Sequence, residues 1–87
     1  MRLITGSQIR SARAALRWSA ELLARNCGLG IQTVKRLEQH DGVPPSRSST
    51  LMDIRAALEA AGIEFVGTPD DGPGIRLRTP LQGRPPA

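Results

Sequence analysis

Apolar residues recur three or four positions apart as far as Gly62, and beyond it they alternate. The first pattern predicts helices and the second predicts strands. Ile9, Ala12 and Leu16 form the core stripe of a first helix over residues 7–17, with Ser7 as its N-cap and Arg10, Arg13 and Arg17 as a basic stripe beside it. Trp18 is placed to plug the joint to the next element. Ser19 is expected to cap a second helix over residues 20–26, in which Ala24 is small where a crossing helix comes close. Gly28 suits a left-handed helix end, Leu29 anchors the turn in the core, and Gly30 is an acceptable N-cap for a third helix over residues 31–39. That helix points Val34 and Leu37 inward. Ile31, Gln32, Thr33, Lys35 and Arg36 are left mostly outward, a face that is polar, hydrogen-bonding and basic.

Residues 40–47 read as a loop, because Gly42 and Pro44-Pro45 bar a helix. Ser48 or Ser49 is expected to cap a fourth helix over residues 50–61, with Leu51, Ile54 and Leu58 as its apolar stripe, Met52 off the stripe and Gly62 at its end. Residues 63–66 and 75–78 alternate as half-buried strands do, and residues 67–74 between them form a dense turn signal. The result is a β-hairpin. A lone hairpin is marginal in water, so this one should pack on the helices and offer an edge to a second copy. Residues 79–87 have the composition of a disordered tail. The chain therefore divides into a helical unit (1–62), a hairpin (63–78) expected to serve as a dimerisation element, and the tail.

Charge changes this picture by its distribution. The net charge is +4, but residues 1–36 hold seven basic residues against Glu21 alone, a local +6, and residues 37–75 hold two basic residues against seven acidic ones, a local −5. The last twelve residues add three arginines. A basic half is an electrostatic footprint for a polyanion, and it gains weight because it coincides with the helical pair. A single cysteine forbids an internal disulfide, and a single histidine forbids a Cys/His zinc set. No paired general acid and base, phosphate loop or nucleophile elbow is present, so neither an enzyme nor a cofactor is expected. The stretch MRLITGSQIR lacks a long apolar run, so no signal peptide, no membrane span and a cytoplasmic location are expected.

The string RWSAELLARNCGLGIQTVKRLEQ carries a Trp-Ser entry, Leu-Ala in one helix, Gly at the turn, and Thr-Val and Arg-Leu-Glu in the next helix. Segment 7–61 on this basis resembles the Cro/repressor-type helix-turn-helix domain of the Xre family. Residues 58–78 resemble a bacterial subgroup in which a LEAAG-type helix end leads to an apolar strand, a Gly-Pro-Gly turn and an Arg-rich strand. The resemblance implies a mainly α, lambda-repressor-like bundle of four or five short helices followed by the hairpin. It further implies a dimeric regulator of transcription that reads a two-fold site in double-stranded DNA with the third helix in the major groove. Carried over by position, Ile31, Gln32, Thr33 and Arg36 would meet bases, and Arg17, Ser19, Lys35 and Arg47 would meet phosphates. Glu38 would bond within the domain.

Three positions depart from the family pattern. Ala20 stands where many relatives have a phosphate-bonding Gln, Leu22 replaces a common charged residue, and Ile31 can touch a thymine methyl but cannot donate a hydrogen bond. Arg pairs with guanine and Gln with adenine, which makes Arg36 and Gln32 the strongest base-contact candidates. Ile63, Phe65, Val66, Ile75 and Leu77 are the candidate dimer-interface residues. Cys27 reads as an inert, buried small hydrophobe and His40 as a surface residue of the loop. A second class of function remains open: an antitoxin-like or antiactivator module that uses the same scaffold to bind a protein partner. Leu22, Ile31 and the hairpin edge favour that alternative.

Overall fold

A computed structural model describes residues 3–78; the expected disordered tail, residues 79–87, lies outside the described residues. Four helices are followed by a two-stranded antiparallel hairpin: α1 (Gly6–Leu16), α2 (Ala20–Cys27), α3 (Ile31–Glu38), α4 (Ser48–Ala60), β1 (Ile63–Thr68) and β2 (Asp71–Leu77). The core is one continuous cluster. Ile9 and Ala12 of α1, Leu23 and Ala24 of α2, Val34 and Leu37 of α3, Leu51, Ile54 and Leu58 of α4, and Ile63 and Phe65 of β1 all belong to it, as does Ile4 ahead of α1. Trp18, Leu29 and Ile31 pack against it from the joints between helices.

The helix ends show where local chemistry sets the boundaries. α1 starts one residue earlier than expected, because its N-cap is Thr5 and not Ser7. Thr5 Oγ1 accepts the Gln8 N–H at 3.0 Å, and Gln8 Oε1 accepts the Thr5 N–H at 2.9 Å, so the pair forms a reciprocal capping box. Ser19 caps α2 as expected, its Oγ accepting the Leu22 N–H at 3.0 Å. Gly28 ends α2 at φ +70, a left-handed conformation that is costly for a residue with a Cβ. α4 begins at Ser48, with both candidate serines inside the helix. Arg47 is its N-cap and offers no side-chain bond, because a guanidinium has no acceptor; its carbonyl accepts the N–H groups of Thr50 and Leu51.

The hairpin is longer and its turn tighter than the glycine and proline content predicts. Ile63 pairs with Leu77, Phe65 with Ile75, Val66 with Gly74 and Thr68 with Asp71, which leaves a two-residue turn at Pro69-Asp70. The register shifts between Val66 and Thr68, with the extra residue on β2. A bulge there accommodates Pro73, which has no N–H for a ladder. Alternation sends Ile63 and Phe65 to the helical core, at 3% and 4% exposure. Both are therefore core residues with almost no surface for a second copy, contrary to their expected place at a dimer interface. Val66 and Ile75 are half-buried, and Leu77 is exposed.

Gly6 lets the start of α1 pass close to the end of α3. A Cβ built there would lie inside contact distance of the carbonyl oxygens of Leu37 and His40 at the end of α3. Gly6→Ala should therefore force the two backbones apart and cost about 2–3 kcal/mol in denaturant unfolding. Gly42→Ala, where a Cβ would meet nothing within 4 Å, should change stability by less than about 0.5 kcal/mol.

Candidate nucleic-acid interface

α3 has one acidic residue, and its position shapes the surface. Glu38 is 7% exposed and turned toward α1. Arg13 grips it in a fork, with Nε donating to Oε2 at 2.8 Å and Nη2 to Oε1 at 2.9 Å, and its Nη1 donates to the Trp18 carbonyl at 2.9 Å. The pairing with Glu38 raises the Arg13 pKa above its ordinary value. Arg10, one turn earlier, donates to the carbonyls of Glu38 and His40 and pairs with Asp41 at 2.8 Å. Two of the three arginines in the expected basic stripe of α1 are thus committed inside the molecule. They satisfy the carbonyls and the carboxylate at the end of α3, where cations are favoured by the helix dipole.

The outer face of α3 is consequently free of acid. At about 100° per residue, Gln32, Lys35, Arg36 and Gln39 fall within an arc of roughly 100°, and all four are exposed. Ile31 and Thr33 are half-buried on its two flanks. Arg36 reaches the Pro45 carbonyl at a long 3.4 Å, which leaves most of its guanidinium in solvent. Gln39 was not among the candidates read from the sequence. Its signal is the i, i+4, i+7 spacing with Gln32 and Arg36, and its helical backbone angles continue the face past the last residue of α3. Two amides and two cations on one short surface can donate to phosphate oxygens and to acceptors on base edges.

The other phosphate-contact candidates stand at the ends of α1, α2 and α4. Arg17 is exposed and closes α1 at φ +60, a left-handed conformation unusual for a side chain of its size. Ser19 is exposed at the start of α2, with its hydroxyl engaged in the cap. Arg47 is exposed at the start of α4. Arg25 sits 3.7 Å from Glu21 in a loose surface pair. Ala20 and Leu22 are half-buried, so Leu22 presents only part of its side chain. On the hairpin, Arg76 and Arg78 both turn to Glu64 Oε1, at 3.2 and 2.8 Å, which moderates the charge of that strand.

Cys27 is half-buried, and burial followed by the nearby Asp53 carboxylate pushes its thiol pKa up. A thiol held in its protonated form is a poor nucleophile. Among the described residues, no group of three or more His, Cys, Asp or Glu side chains is placed to hold a metal ion, and no helix is long and apolar enough to cross a membrane. The chain matches no model of a known protein family, and no curated protein matches it.

Removing Arg13 strands a buried carboxylate. Arg13→Ala should lower stability by about 2–4 kcal/mol, and the double variant with Glu38→Gln should recover part of that loss in a denaturant double-mutant cycle. Cys27 should react with a disulfide reagent at pH 8 at least about tenfold more slowly in the folded chain than after denaturation.

Proposed function

We propose that this protein is a sequence-specific, double-stranded-DNA-binding regulator of transcription that places α3 in the major groove as a lambda-repressor-like helix-turn-helix, with α2 and α3 as the paired helices. The observation that carries this reading is the acid-free outer face of α3, with Gln32, Lys35, Arg36 and Gln39 exposed together and Glu38 turned inward. Arg36 and Gln32 read base edges, with Ile31 and Thr33 beside them for a thymine methyl or a hydroxyl contact. Lys35, Arg17, Arg47 and the start of α2 at Ser19 hold phosphates, which set register without specifying sequence. Binding is the whole of the activity and requires no catalytic step or cofactor.

Two copies acting on a two-fold site would set their α3 helices about 34 Å apart. The hairpin is the element we assign to pairing them, through a strand edge and the exposed Leu77, since Ile63 and Phe65 serve the core and Ile75 packs against it. Arg17 supports a role in binding by its backbone. A left-handed arginine is tolerated where glycine would fit with less strain, which fits a residue kept for its side chain. A protein-interaction module on the same scaffold is the second reading. It is favoured by Leu3, Val43, Met52 and Leu77, large apolar residues exposed on the surface.

Selection from random duplexes with the purified protein should return a two-fold symmetric site. Affinity for that site should fall steeply with salt, as expected when several phosphates are neutralised. Arg36→Ala and Gln32→Ala should each relax preference at one base position by about 1–3 kcal/mol. Arg17→Gly should leave thermal stability equal or higher while weakening duplex binding and flattening its salt dependence by about one unit of slope. Salt-independent binding, or unchanged base preference in both α3 variants, would contradict the proposal. Enrichment of one stoichiometric protein with no duplex preference would establish the second reading instead.

A further inference from the structure

Gln8 is 3% exposed, and its side-chain amide is used at both ends. Oε1 accepts the Thr5 N–H at 2.9 Å, closing the cap of α1. Nε2 donates to the Gly74 carbonyl at 2.9 Å and to the Val66 carbonyl at 3.2 Å. These contacts settle the orientation of the amide, because an N–H faces one end and two carbonyl oxygens face the other. Val66 and Gly74 are cross-strand partners, the last regular pair before the register shift. One buried side chain therefore holds both strands of the hairpin at the point where their own ladder is interrupted. The same helix carries Gly6, Arg10 and Arg13, which meet the end of α3 through close packing, carbonyls and the Glu38 carboxylate.

We infer that Gln8 is a positioning residue that locks the hairpin to α1, so that the hairpin and α3 move as one rigid unit with α1 as the spacer between them. A buried amide with two carbonyl acceptors is costly to remove, because two half-buried oxygens then lose that donor at once. The hairpin has no third strand among the described residues; Ile63 and Phe65 seat β1 on the core, and Gln8 is the side chain of α1 that bonds both strands. A consequence, which rests on the DNA-binding reading above, is that Gln8 sets the separation of the two α3 helices in a hairpin-paired dimer.

Two variants of the full chain separate this role from simple capping. Gln8→Met keeps the volume and loses both the cap acceptor and the hairpin donor. Thr5→Ala loses its half of the same capping box but leaves the Gln8 amide in reach of Val66 and Gly74. Amide hydrogen exchange, followed residue by residue, should show the amides of residues 63–78 exchanging at least about tenfold faster in Gln8→Met than in Thr5→Ala, with α2 alike in both. Equal hairpin exchange in the two variants would overturn the inference. If Gln8→Met fails to fold, Gln8→Asn, whose shorter amide cannot span the same gap, takes its place with the same expectation. On duplexes whose half-sites are moved apart by one or two base pairs, the wild-type chain and Thr5→Ala should keep a sharp spacing preference. The Gln8 variant should lose most of it, by about tenfold or more in relative affinity; an undiminished preference there would overturn the spacing consequence. If the wild-type chain binds no duplex, the proposed function fails, while the exchange comparison still decides the role of Gln8.

Discussion

A carboxylate taken out of water must be paired and hydrogen-bonded, and Glu38 is the carboxylate on which this fold turns. Its partner comes from α1, where Arg13 presents a planar fork that matches both oxygens. That pair ties the first helix to the end of the third across 25 residues of chain. Gly6 and Arg10 extend the same seam, one by close backbone approach and the other by satisfying carbonyls that α3 leaves open at its end. The seam also determines what α3 shows to the outside. With its one acid neutralised within the fold, the exposed side of the helix carries amides and cations only.

α1 thus works on three sides. Ile9 and Ala12 enter the common core, Arg10 and Arg13 hold α3, and Gln8 holds the hairpin. The hairpin is further seated on α4, where Ile63 and Phe65 join Leu51, Ile54 and Leu58, and where Arg55 lies over the Phe65 ring at 5.3 Å while pairing with Glu59. A small chain with a modest core gains from such cross-links, since each limits the independent motion of an element that could not stand alone. The surface left for a partner copy is correspondingly narrower than the apolar content of the strands implies.

What was legible in the sequence was the chemistry that acts over a few residues. The spacing of Val34 and Leu37 orients α3, and Ser19, Gly28 and Gly62 mark helix ends by their preferred backbone angles and caps. The cap of α1 was misplaced at Ser7, although Ser7 has Arg10 three positions on and Thr5 has the Gln8 that a capping box needs. Long-range pairing was harder to see. Arg10 and Arg13 counted as surface charge until the end of α3 supplied Glu38 and the loop after it supplied Asp41, and nothing local distinguishes them from the exposed Arg17. The hairpin's glycines and prolines signalled a turn, yet most of them lie in a paired strand, because backbone pairing needs no particular side chain and a bulge absorbs the proline. Strand alternation gave the faces but not which one the helices would cover, so Ile63 and Phe65 were assigned to a partner instead of the core.

The central claim is that the outward side of α3 meets duplex DNA, and backbone amide shifts followed during a titration with a short duplex at low salt test it most directly. The largest shifts are expected at residues 31–39, smaller ones at Arg17, Ser19 and Arg47, and little change across the strands of the hairpin. Shifts concentrated on the hairpin or on α4, with α3 silent, would contradict it.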